Sequence, residues 1–114
     1  MKTLIAGREG EAAAARYLRK KGYKVISAGY RSRYGEIDII AEDGDTVVFV
    51  EVKLRKNDVF AHAFEAVTAR KMEKIRLTAS QWLAENDRTS PARFDIIEIY
   101  TDYGTVNHIE NAFT

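Results

Sequence analysis

Asp38, Glu51 and Lys53 are the residues whose types and spacing suit chemistry. Two alternating segments, Glu36 to Glu42 and Thr46 to Leu54, flank Asp43-Gly44-Asp45, a strong hairpin signal. Alternate residues of a strand share a face. On the later strand Val48, Val50, Val52 and Leu54 point one way, while Val47, Phe49, Glu51 and Lys53 point the other. On the earlier strand Ile37, Ile39 and Ala41 form the apolar set; Glu36, Asp38, Ile40 and Glu42 form the mixed one. A loop at Gly44-Asp45 sets Asp38 directly opposite Glu51, whereas a loop at Asp43-Gly44 sets Glu36 there with Asp38 on the diagonal. Either register brings Asp38, Glu51 and Lys53 onto one face within ~5–8 Å. A three-residue loop without a bulge would split them.

Carboxylates opposed across a ladder repel, and are tolerated when a cation lies between them or one is protonated. Two carboxylates with a carbonyl and waters suit Mg²⁺ or Mn²⁺, hard cations that prefer oxygen. Such a centre is adequate for metal-assisted hydrolysis of a phosphodiester: the ion acidifies a water, and Lys53 orients it or stabilises the charge that develops. The competing reading is a wet hairpin face, where Glu and Lys two apart are merely solvated. Phe49, Ile40 and Val47 on the same face argue that it is at least partly covered.

The elements that must position these groups are legible. An Ala-rich helix is expected from about Leu4 to Lys21, with a basic last turn and Gly22 as its stop. Its inward stripe, Leu4, Gly7, Glu11, Ala14/Ala15 and Leu18, carries one carboxylate, so Glu11 reaches the same site if this helix packs on the Glu51 face. Strands are expected at Tyr23–Ser27, Glu36–Glu42 and Thr46–Leu54. Thr68 is the expected N-cap of a second helix running to about Glu85, and strands follow at Arg93–Tyr100 and Thr105–Ile109. A helix linking the third and fourth strands makes them parallel neighbours in a mixed sheet with a helix on each side. The fold class is therefore α/β, αβββαβ(β), in one domain spanning residues 1–114.

Composition narrows the classes. With no cysteine among 114 residues, disulfide frameworks, thiol nucleophiles and cysteine zinc sites are excluded. No apolar run approaches a membrane span and no signal peptide is evident, so a cytoplasmic protein with no membrane partner is expected. The net charge of +1 hides a polarised distribution. Residues 12–35 hold seven basic side chains and no acid; residues 94–114 hold four acids and no Lys or Arg. The basic stretch attracts polyanions, and Tyr30-Arg31-Ser32-Arg33-Tyr34 has the composition of a loop that grips phosphates and stacks on bases. Arg31, Arg33, Arg55, Arg70, Lys71 and Lys74 are the candidate nucleic-acid contacts. His62 and His108 have no metal-ligand spacing, and His108 is read as a structural hydrogen-bonding group.

At these residues the sequence resembles the PD-(D/E)XK nuclease superfamily, with Asp38 as its second-strand Asp and Glu51-Val52-Lys53 as its (D/E)-X-K. Glu11 matches the first-helix acid of the branch that includes archaeal Holliday junction resolvases. More closely, nearly the whole chain is similar to the bacterial YraN-type family. The matching segments are Gly10-Glu11, Tyr17-Leu18, Gly35 to Ile40, Phe49 to Arg55, Glu65-Ala66-Val67, Arg93-Phe94-Asp95 and His108 to Phe113. Gly29 stands where that family usually has Asn, and Phe60-Ala61 replaces its usual Phe-Gly. The resemblance implies a restriction-endonuclease-like fold, Glu11, Asp38, Glu51 and Lys53 as catalytic residues, and Asp38, Glu51 and Glu11 as ligands of Mg²⁺ or Mn²⁺. It also implies DNA, branched or structured, as substrate and a homodimer as the working form. A nucleic-acid-binding module without turnover, or a protein-interaction domain using the acidic C-terminal strands, are the alternatives.

Overall fold

The computed structural model describes residues 7–56 and 68–114. The start of the first helix at Leu4, and Phe60-Ala61, His62 and Glu65-Ala66-Val67, lie outside the described residues. The described chain runs α1 (Gly7–Lys20), β1 (Lys24–Ser32), β2 (Gly35–Asp43), β3 (Thr46–Arg55), α2 (Ala69–Glu85), β4 (Ala92–Tyr100) and β5 (Thr105–Phe113). The strands form one sheet in the order β1-β2-β3-β4-β5. The β3–β4 pair is parallel and the other three pairs are antiparallel. This is an α/β fold of restriction-endonuclease-like type, a five-stranded mixed sheet with two helices.

Each helix covers one face. Ala14, Ala15 and Leu18 of α1 pack with Ile39, Ala41, Val48, Val50, Ile97 and Ile99, joined by Val52 and Leu54. Gly10 lets α1 approach closely, because a Cβ there would lie 2.9 Å from the Leu54 side chain. Ile75, Ala79 and Trp82 of α2 pack on the other face against Ile37, Ile40, Val47 and Phe49. The first turn of α2 is capped as expected, with the Thr68 hydroxyl accepting the Lys71 N–H at 3.1 Å.

Two boundaries and one periodicity depart from the sequence reading by more than a residue or two, each for a local reason. β1 continues through Tyr30-Arg31-Ser32, so only Arg33 and Tyr34 turn between Ser32 and Gly35, and the Ser32 hydroxyl accepts the Tyr34 N–H at 3.0 Å. β5 runs on to Phe113, whose ring stacks on Phe94 with centroids 5.0 Å apart. A register shift between Phe94 and Ile96 and the positive φ of Asn111 (53°) absorb the extra length. Third, the alternation of β2 breaks. Ile37 and Ile39, two residues apart, pack on opposite faces of the sheet, so they are not one apolar set as strict parity requires.

Candidate active site

The break in β2 occurs at Asp38 and builds the site. The β2–β3 ladder runs from Asp43↔Thr46 up to Ile39↔Val50, the register in which Gly44 and Asp45 form the loop. Beyond Ile39 the ladder stops, and the Asp38 carboxylate replaces it by accepting the Val52 N–H at 2.7 Å. On β1, Gly29 adopts φ +76°, and a Cβ there would sit 3.4 Å from Glu36 Oε2 and 3.9 Å from Glu11 Oε1. The backbone conformation is what calls for glycine here, since a Cβ at those distances would be in ordinary contact.

The opening lets groups from both faces of the sheet converge. α1 does not pack on the Glu51 face, as the route for Glu11 assumed: it covers the Val50, Val52 and Leu54 face, while Glu51 and Lys53 project with Phe49 toward α2. Glu11 nevertheless arrives from the α1 side, and carboxylate oxygens of Glu11, Glu36 and Asp38 all lie within 4.8 Å of one another. Glu36 is the residue that sequence reasoning left out of the site. The signal is present, since one of the two hairpin registers sets Glu36 against Glu51, but strict parity does not show the break in alternation at Asp38.

Glu51 is buried, 6% exposed, and lies under two lysines. Lys71 Nζ is 2.5 Å and Lys53 Nζ 3.5 Å from the same oxygen, Glu51 Oε2. Burial, and next the charge of Glu51, push the Asp38 carboxyl up to about 7 against the pull of the Val52 N–H; Glu11 and Glu36 add to the rise. Burial and then the neighbouring Lys71 hold Lys53 below its ordinary value, with Glu51 opposing. Burial works against the Lys71 ammonium as well, but its hydrogen bond and charge pairing with Glu51 outweigh that and raise it.

Two clefts meet at Glu36. On the α1 side a cleft of about 590 Å³ is walled by Glu11, Arg16, Arg19, Gly29, Arg31 and Glu36. On the α2 side one of about 300 Å³ is walled by Glu36, Thr68, Arg70, Lys71 and Lys74. Arg31 is exposed and pairs with Glu36 at 3.7 Å, and Arg33 lies over the Tyr34 ring. Arg55 departs from its expected place among the nucleic-acid contacts. It is buried and holds Glu98 at 3.0 Å, because its β3 position faces inward at the β4 border.

Two of the four C-terminal acids, Asp95 and Glu98, are turned inward, while Asp102 and Glu110 are exposed. Asp95 is fully buried and accepts from Arg93 through both oxygens (3.0 and 3.1 Å) and from the Asn111 N–H (3.0 Å). His108 Nε2 lies 2.7 Å from Asp95 Oδ2, the structural role read for it. Glu98 is bound by Arg55, Asn107 and Tyr100. Asp95 and Glu98 thereby fasten β5 to the sheet.

Comparison with known proteins places this architecture. The chain matches the profile of Uncharacterised protein family UPF0102 over residues 10–99. It is 44% identical over 114 residues to a UPF0102 protein of Pelotomaculum thermopropionicum, covering 96% of this chain and 95% of that one. A UPF0102 protein of Rhodococcus opacus is 45% identical, covering 96% and 97%, and one of Clostridioides difficile is 45% identical over 105 residues, covering 91% and 92%.

The chain belongs to the UPF0102 family.

This is the YraN-type grouping that the sequence segments resemble. The UPF0102 match runs from Gly10, beside Glu11, through β4, so every residue of the convergence described above lies inside it. No helix among the described residues is long and apolar enough to cross a membrane.

Proposed function

We propose that this UPF0102 protein is a metal-dependent nuclease that hydrolyses phosphodiester bonds in DNA, with branched or structured DNA as its substrate. The observation that carries the reading is the Glu11, Glu36 and Asp38 cluster meeting the Glu51, Lys53 and Lys71 cluster at the opened end of β2 and β3. The donor set fits a hard divalent cation: it is all oxygen and partly shielded, and burial, then repulsion from Glu51 and its neighbours, raises the Asp38 pKa, a penalty that a cation relieves. Asp38, Glu11 and Glu36 would hold Mg²⁺ or Mn²⁺, with Glu51 completing the set. When bound, the ion supplies polarisation of a phosphoryl oxygen and acidifies a water.

The chain's own groups do the rest. Lys53, beside Glu51 on a rigid strand, is placed to orient the attacking water or to stabilise charge on the phosphoryl group. Arg16, Arg19 and Arg31 on one side of Glu36, and Arg70, Lys71 and Lys74 on the other, supply cations for backbone phosphates flanking the reacting one. A second copy would extend this short basic surface along a duplex, and we propose a homodimer as the working form.

The test is incubation of the pure protein with branched, nicked and single-stranded DNA in Mg²⁺ or Mn²⁺. Cleavage lost in both Asp38→Ala and Glu51→Ala supports the reading; cleavage that persists in either assigns the activity to a contaminant. Salt-sensitive binding that survives Glu51→Ala, with no cutting under any ion, would favour the module without turnover.

A further inference from the structure

We propose that Lys71 is an exchangeable counter-cation of Glu51: a divalent ion entering the site displaces its ammonium from the carboxylate, and the released lysine turns to a substrate phosphate. The inference rests on the metal-site reading above and adds a working part to it.

The argument begins with one atom. Glu51 Oε2 is within reach of both Lys71 Nζ (2.5 Å) and Lys53 Nζ (3.5 Å). A carboxylate oxygen serving two ammoniums has little negative potential left for a third cation at ligand distance. An ion that bridges from Asp38 to Glu51 must therefore compete with at least one lysine for the same oxygen.

The two lysines differ in freedom. Lys53 extends from a β3 position paired with Glu98 of β4, and its side chain is only 18% exposed. Lys71 stands in the first turn of α2, with its side chain 44% exposed, at the wall of an open cleft. Its four-carbon stem can swing without disturbing the helix, whose cap is held by Thr68. Arg70 and Lys74 wall the same cleft, so the released ammonium joins cations already suited to phosphate. Ion entry and Lys71 release are thus linked, and the linkage is reciprocal: whatever holds Lys71 away from Glu51 tightens the ion, and the ion frees Lys71.

Calorimetric Mn²⁺ titration of wild type, Lys71→Gln and Lys71→Arg tests this, with circular dichroism to establish folding. Lys71→Gln should bind Mn²⁺ on the order of 5-fold or more tighter than wild type, while Lys71→Arg keeps the competition and stays near it. Unchanged or weaker affinity in folded Lys71→Gln overturns the exchange and leaves the metal site standing. Absence of Mn²⁺ binding in all three overturns the metal site, and the exchange with it. A second measurement needs no variant: acylation of wild-type lysines read by mass spectrometry. Mg²⁺ should raise labelling of Lys71 several-fold relative to Lys56, an exposed lysine just past the end of β3, and labelling indifferent to Mg²⁺ contradicts the proposal.

Discussion

Asp38 accepts the main-chain N–H of Val52 at 2.7 Å, across the gap where the β2–β3 ladder has ended. A side chain thus completes the hydrogen bonding of a backbone that a paired strand would otherwise satisfy. This one bond orients the carboxylate while the strands stay apart. The separation admits Glu11 and Glu36 from one side and Glu51 from the other, so strand pairing has been exchanged for a convergence of acids.

The cost of that convergence is measurable in the pH dependence of stability. The Asp38 pKa of about 7 lies above its ordinary 3.8, so between those values the folded protein retains a proton that the unfolded chain has released. Stability contributed by this group is therefore greatest below pH 4 and falls as pH rises through 7. Asp38→Asn keeps an acceptor for the Val52 N–H and removes the charge. In chelator, urea denaturation should show the variant more stable than wild type by about 2–4 kcal/mol at pH 8, with the difference vanishing toward pH 4. Parallel pH profiles for the two proteins would show that Asp38 carries no such strain.

The main outline of this arrangement is legible in the sequence. The alternation of β3, the loop beside Gly44 and the cap at Thr68 predict the hairpin and the second helix, and leave two hairpin registers of which the Gly44-Asp45 one is observed. What sequence cannot show is a local departure from periodicity. Ile37 and Ile39 read as one face because period two is assumed, and only the Gly29 backbone and the Asp38–Val52 bond explain why they part. Glu36 near the start of β2 and Arg55 at the end of β3 have surroundings set by neighbouring elements, Glu11 and Asp38 for the one and Glu98 of β4 for the other, and strand periodicity carries no sign of these.

Gly29 is the hinge of that departure. Replacing it with Ala should cost about 1–2 kcal/mol for the left-handed backbone. Gly29→Asn should cost less, because Asn tolerates that backbone region. Thermal melts of the two variants compare them directly; equal melting temperatures would mean that backbone conformation does not govern this position.

Asp95 anchors the far strand. Burial disfavours its charge, but the His108 and Arg93 hydrogen bonds and the Asn111 N–H more than compensate and hold its pKa below the ordinary value. Its contribution is therefore present above the unfolded pKa and disappears as pH falls through the lower folded one. Asp95→Ala leaves Arg93 and His108 without their shared partner and should destabilise the protein by about 3–5 kcal/mol. Unfolding in urea checks this, and a loss under 1 kcal/mol would show the network to be dispensable.

Arg16, Arg19 and Arg31 wall the cleft on the α1 side and should act on affinity through phosphates alone. Each Ala replacement that removes one phosphate contact should reduce the slope of log affinity against log salt by about 0.9 on duplex DNA. DNA binding measured by anisotropy in Ca²⁺ across a salt series reads that slope. Variants with unaltered slopes would take this cleft out of the DNA path.

Calorimetric titration of Mn²⁺ into wild type and Asp38→Ala reaches the centre of the account before any substrate is chosen. A saturable site in wild type that is lost in a folded Asp38→Ala protein is the predicted result. No saturable heat in wild type, or the same isotherm in both proteins, would contradict it.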